Sequence, residues 1–401
     1  MSAPHGFSEP SPGGHVLPAH IVSASPQAPR PRTKRTGVLV GILGALVAAS
    51  VVGTLQITAN LGYDDTRAEF DDARDTAQDT IAEVTLSSDQ LVATSDTATL
   101  LLNSDSGVLA DPTAKEALAA SVTEAADTSA SAAQVLDTAL PDEGSKPVFF
   151  WELFGASEGL RLDIQDLEDL DSELAEESPA LAEAETLVTD AGLAFLGSAA
   201  TAAASFEASH VSAKNDDVIA LRDAASTAAG ASALDDSAVT TFVALQDAAA
   251  QVVASENAEL SEKAGPLQGV RLEIEAYARS LAPGVLLEFD WNQIVNNAGE
   301  NGSMGGLTTW WWDEPDRAVI ELSNSVAEQW PADRSKALVA HEVGHAISVK
   351  CEDMYDSSTQ DSIEKWATAW AISMGFTDDA NGVWAYGYPP QSYIDAAAGC
   401  R

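Results

Sequence analysis

The chain has 401 residues, enough for two or three domains, and sets 62 acidic residues against 20 basic ones, a formal net charge of -42. Nucleic acid is thereby excluded as a partner, because phosphate recognition needs clustered Lys and Arg. The acidity marks a well-solvated exterior without locating a site.

Residues 1–36 are rich in Pro, Ser, Gly and His, show no apolar period, and read as a disordered tail ending in Arg30, Arg32, Lys34 and Arg35. A membrane helix is expected over 37–59, and its apolar run Gly37–Leu55 contains no charge. These nineteen residues span roughly 28 Å as a helix, close to the hydrocarbon thickness of a bilayer. Basic residues before the run predict a cytoplasmic N-terminus and an extracytoplasmic remainder, a single-pass cell-membrane topology. A cleaved signal peptide is the alternative, although the leader and the apolar run are both long for one.

Residues 60–282 change character, with Ala, Asp, Glu, Ser and Thr dominant. Leu153, Leu160, Leu167, Leu174 and Leu181 recur every seven residues, so one helix face packs on another helix. The second seam is polar at Asp171 and Ser178, which argues against a long regular coiled coil. Segment 153–188 is a candidate for self-association or a helical partner. Breakers at Asp111-Pro112, Pro141, Lys146-Pro147, Pro179 and Gly265-Pro266 predict separate helices near 66–104, 113–139, 156–190, 203–230, 236–262 and 267–280. A helical bundle or stalk follows, acting either as a spacer or as a sensor. Phe149-Phe150-Trp151 reads as a local core cluster.

Eight of the 9 Trp lie beyond Pro283. Val285–Phe289 reads as a strand, and Leu307–Trp312 with Ala318–Leu322 as a β-hairpin. Trp310, Trp311 and Trp312 are either core or the lining of a peptide cleft at a sheet edge. A helix is predicted over Asp333–Val349, a second over Thr359–Met374 and a short one over 391–398. The first carries His341-Glu342-Val343-Gly344-His345. Residues four apart share a helix face, so both imidazoles can address one ion with Glu342 beside it, the HExxH pattern of zinc peptidases. Catalytic Zn²⁺ takes three protein ligands. Glu364, separated from His345 by eighteen residues, is the expected third, with Asp361 the runner-up. Ala367 and Ala371 would let the two helices approach. Cys351 and Cys400 are expected to pair if this region is extracytoplasmic, and two unpaired thiols are the alternative.

The HExxH-x18-E spacing and the Glu364–Ala371 surroundings resemble the gluzincin class of zinc metallopeptidases, thermolysin-like enzymes and minigluzincins, over about the last 120 residues. The metzincin pattern is excluded, because Ser348 and Cys351 stand where it needs Gly and His. Gly302-Ser303-Met304-Gly305-Gly306 lacks the Glu with which the related aminopeptidases grip an amino terminus. Thr368 replaces the acid that often orients a zinc-bound His. The resemblance implies zinc on His341, His345 and Glu364, Glu342 as general base, a peptide or protein substrate, and an oxyanion donor, for which Tyr386 and Tyr388 are the nearest phenols. The overall expectation is an α+β protein with a membrane anchor, a helical bundle and, over 283–401, a metallopeptidase-like domain. The competing expectation is an envelope structural or interaction protein whose metal-holding domain is weakly active or inactive.

Overall fold

The computed structural model describes residues 35–142 and 144–401, with side chains from Gly44 onward. The tail predicted before Arg35 lies outside the described residues. The architecture is α+β, with long helices followed by one three-stranded sheet. Two compact units are distinguished, residues 1–69 with 143–162, and 70–142 with 163–401.

Among the described residues, six helices come first: α1 Arg35–Asn103, α2 Pro112–Leu136, α3 Phe150–Ser209, α4 Asn215–Ala229, α5 Asp236–Glu262 and α6 Gln268–Leu281. The seven-residue period explains the longest ones. The predicted Leu153–Leu181 series is buried at every position and continues through Val188 and Phe195. The same period is buried in α1 at Tyr63, Phe70, Ala77, Val84, Leu91 and Ala98, and in α2 at Leu118, Ala125 and Ala132. A strict period of seven holds one stripe against a partner. Small residues on that stripe allow close helix approach, and the polar second seam is used rather than buried: Asp171 accepts from the Thr80 hydroxyl at 2.5 Å.

Three predicted interruptions do not occur. The anchor run and the first bundle helix are one helix, α1, and α3 continues through Pro179 and through residues 190–203. Pro179 is exposed, so the carbonyl it leaves without an N–H partner faces water, which lowers the usual penalty. Asp111-Pro112 does mark a helix start. Pro112 opens α2, and Asp111 caps it by accepting from the Thr113 and Ala114 amides at 2.7 and 3.2 Å.

Among the described residues, two helices contain windows long and apolar enough to cross a membrane, in Gly44–Asn103 and Phe150–Ser209. Only 6% of the first window is buried, against 33% of the second. In α3 the apolar residues Phe195, Leu196 and Ala199 lie wholly inside the bundle core. In α1, Leu46, Val47, Val51 and Val52 are exposed.

Strand β1 (Leu286–Asn292) runs parallel to β3 (Glu314–Ser323), and β2 (Gly306–Trp311) pairs antiparallel with β3, in the order β1-β3-β2. The predicted hairpin is thus present, with a register shift between Trp310 and Trp311. After α7 (Asn324–Glu328) come α8 (Asp333–Ser348), a 3-10 turn, α9 (Gln360–Ser373), a second 3-10 turn, α10 (Val383–Tyr386) and α11 (Gln391–Ala397). One apolar core joins Ile274 and Ala278 of α6, Phe289, Ile320 and Leu322 of the sheet, Val339, Val343 and Ile347 of α8, and Trp366 and Trp370 of α9. Cys351 and Cys400 form a disulfide with Cα atoms 6.1 Å apart. The Trp370 indole donates to the Cys400 carbonyl at 3.0 Å, so the C-terminus is fastened beside the α8–α9 pair.

Candidate metal centre

Helix α8 runs through the core, which is why the HExxH residues are buried: His341, Glu342 and His345 are each about 5% exposed. Helix α9 crosses it at very short range. A Cβ on Gly344 would stand 2.8 Å from the Ala367 carbonyl oxygen. Glycine at the fourth HExxH position and the expected small residues Ala367 and Ala371, both fully buried, allow that approach. It carries Glu364 to the two histidines.

Three ligand-type atoms converge there. His341 Nε2 and His345 Nε2 are 3.2 Å apart, and Glu364 Oε2 lies 3.2 Å from the first and 3.1 Å from the second. Three ligands on a tetrahedral ion with bonds near 2 Å would be about 3.3 Å apart, so the triangle matches one face of such a shell. His341, His345 and Glu364 therefore form a buried group able to hold a metal ion. Asp361, the runner-up ligand, instead pairs with Lys365 at 2.6 Å and is exposed.

Neighbours hold each member in place. The Thr368 hydroxyl donates to the Glu364 carbonyl at 2.8 Å and lies 3.4 Å from His341 Nδ1. With its proton committed, Thr368 can only accept from that nitrogen, which leaves the lone pair of His341 on Nε2. Gln360 Nε2 donates to Glu364 Oε1 at 2.8 Å, leaving Oε2 for the triangle. The His345 ring is stacked on Trp310, with centroids 5.3 Å apart and planes at 7°. Its Nδ1 is buried without a hydrogen-bond partner among the described residues. Burial works against charge on Glu364, but the hydrogen bonds and charges that His341 and His345 supply when both rings are protonated outweigh it and hold the carboxyl far below the ordinary range.

Glu342 lies beside the triangle. The Thr308 hydroxyl, from β2, donates to Glu342 Oε2 at 2.7 Å and also lies 3.0 Å from the Glu342 carbonyl oxygen. Gly306, at the start of the same strand, leaves room for the carboxylate, since a Cβ there would stand 2.3 Å from Oε1. Burial pushes the Glu342 carboxyl upward; His341 and the Thr308 bond oppose that, and Glu364 adds to it. Comparison with family models, curated proteins and solved structures finds no match.

Of the two candidate phenols, the Tyr386 ring lies over His341, with centroids 5.9 Å apart and planes at 13°, whereas Tyr388 is 66% exposed. Burial first, then the charges of Glu364 and Glu342 and a hydrogen bond with Glu364, push the Tyr386 phenol up to about 12, so it stays a donor near neutral pH. Trp311 packs its ring under the Arg317 guanidinium at 4.2 Å, and Trp312 is exposed. Only Trp310 of the three touches the histidines. Thr308, Gly306, Gln360 and Gly382 were not singled out from sequence as members of the site. Gly382 has φ +103°, and a Cβ there would meet Thr368 Oγ1 at 2.3 Å and His341 Nδ1 at 2.7 Å. A weak local signal existed for two of them: Gln360 stands one turn before Glu364, and glycine is the usual residue at positive φ.

Proposed function

We propose that the protein is a membrane-anchored zinc metallopeptidase of gluzincin type, facing away from the cytoplasm and hydrolysing peptide bonds. The observation that carries this reading is the convergence of His341, His345 and Glu364 within 3.2 Å, with the buried carboxyl of Glu342 alongside. Two imidazoles and one carboxylate are the ligand set of a catalytic zinc, which keeps a fourth position for water. When bound, zinc supplies Lewis acidity, which polarises a scissile carbonyl and acidifies water.

The chain's own residues do the rest. Glu342 takes the proton of the attacking water and returns it to the leaving amine. Thr308 fixes one carboxylate oxygen and so directs the other at that water. Thr368 keeps His341 in the Nε2 lone-pair form. Tyr386, protonated near neutral pH, is the candidate donor to the developing oxyanion.

The anchor is α1. Its apolar side chains between Leu46 and Leu61 are largely exposed, and its hydroxyls satisfy themselves. Ser50, Thr54 and Thr58 each donate to the carbonyl four residues back, as a helix in hydrocarbon requires. The basic cluster before Gly37 orients the helix with its N-terminus in the cytoplasm. The test is cleavage of a peptide library by the detergent-solubilised protein. Activity lost with a chelator, restored by Zn²⁺, and absent in Glu342→Gln supports the reading. Cleavage by Glu342→Gln at the unmodified rate overturns the mechanism, and no cleavage by the zinc-loaded protein leaves the bundle as the functional part.

A further inference from the structure

The loop between α2 and α3 ends in a group of apolar side chains that no core covers. Val148 is 74% exposed, Phe149 49%, Trp151 58% and Phe154 49%. Their rings are ordered by one another: Phe149 stacks on Trp151 at 4.7 Å with planes at 5°, and Phe150 meets Trp151 edge-on at 5.0 Å. The sequence reading of this cluster as core is not what the structure gives. Contiguous exposed apolar surface of this kind marks an interaction site.

Its position along α1 says what covers it. Gln56 is the first residue after the apolar run Gly37–Leu55, and its side-chain amide clamps the end of the loop on both sides of Phe149. Nε2 donates to the Val148 carbonyl and Oε1 accepts from the Phe150 amide, both at 2.9 Å. Two turns further along, at the first charged level, Lys146 pairs with Asp64 at 2.5 Å and lies over the Tyr63 ring. The loop thus descends from the charged level at Asp64 to the apolar level at Gln56, and its aromatic tip points the same way along α1 as the membrane run. The twenty-eight residues between Arg35 and Asp64 carry no charge. The apolar run Gly37–Leu55 within them spans roughly 28 Å as a helix, close to the ~30 Å hydrocarbon core. With that run set in the core, Gln56 and the tip fall where the headgroup layer begins, the level at which Trp and other amphipathic aromatics concentrate. The exposed apolar surface of α1 at Leu55, Ile57 and Leu61 is continuous with that level.

We propose that the Val148–Trp151 tip, clamped to α1 through Gln56, is a second membrane contact that lies in the headgroup layer of the bilayer α1 crosses. The proposal rests on the reading of α1 as a membrane span. A second contact off the helix axis fixes the rotation of α1 in the bilayer, which a lone helix leaves to its own anchors.

Trp151 is the one Trp before Trp291, which makes the test specific. The full chain is reconstituted in phosphatidylcholine vesicles brominated either near the ester carbonyl or near the chain end, and insertion is checked by resistance to alkaline carbonate. The expected result is stronger quenching of tryptophan emission by the shallow bromines than by the deep ones, with that increment lost in Trp151→Phe. Protein that resists carbonate yet is quenched identically with and without Trp151 overturns the proposal and leaves the anchor standing. Protein extracted by carbonate overturns the anchor, and the proposal with it. An unquenched Trp151 in dimers that Phe149→Ser dissolves gives the surface to a second copy and also overturns the proposal.

Discussion

Thr368 gives its hydroxyl proton to the Glu364 carbonyl and so presents a lone pair to His341 Nδ1. That orients the ring without adding the negative charge an acid would bring. Thr368→Val is expected to weaken metal binding about 10- to 100-fold, measured by competition with a chromophoric chelator, while Thr368→Ser keeps most of it. Gly382→Ala should weaken binding as well, since the new methyl group collides with both Thr368 and His341. Unchanged affinity in both Thr368→Val and Gly382→Ala would mean that the His341 ring is held by something else. The group able to hold a metal ion was legible in the sequence, because helix periodicity alone aims His341 and His345 at one point and the x18 spacing brings a second helix with Glu364. Thr308 and Gly306 were not legible. They act from a strand more than thirty residues away in sequence, and only the packing of α8 on β2 makes them neighbours of Glu342.

At the level of elements, the C-terminal core is fastened by two devices of different kinds. The Cys351–Cys400 disulfide closes a loop of 49 residues, and replacing both cysteines with Ala is expected to cost about 2–4 kcal/mol, read from denaturant unfolding. In the middle of α6, the fully buried Glu275 accepts from the Trp291 indole at 3.0 Å and lies 3.3 Å from Lys263, at the end of α5, and 3.4 Å from Arg279. Removing one member of a buried ionic group strands the others, so Glu275→Ala is expected to destabilise the fold by roughly 3–5 kcal/mol. A loss under about 1 kcal/mol in thermal unfolding would mean the group is solvated. Element boundaries were less legible than element types. Proline reads as a breaker in sequence, yet α3 passes through Pro179 because the affected carbonyl is on the solvent side. The seam Leu153–Leu181 was visible, but its continuation in α1 and α2 was obscured because alanine fills so many of its positions.

For the whole molecule, α1 links the proposed membrane span to the bundle without a break, so the chain past Asp64 emerges already helical. Protease added outside sealed right-side-out vesicles is expected to cleave the acidic bundle, and full protection would reverse the proposed orientation. Charge and apolar runs in the sequence suggest the proposed anchor, whereas the exposed aromatic tip was not legible, since Phe149-Phe150-Trp151 looks the same in sequence whether it is buried in a core or left exposed. Everything assigned to the C-terminal region depends on three ligand atoms sharing one cation. The most direct measurement is metal content of the purified full-length protein by mass spectrometry, beside His345→Ala and Glu342→Gln. The account predicts one zinc per chain in the unmodified protein and in Glu342→Gln, and loss of it in His345→Ala. No bound metal in the unmodified protein after zinc loading, or zinc retained undiminished without His345, would contradict it.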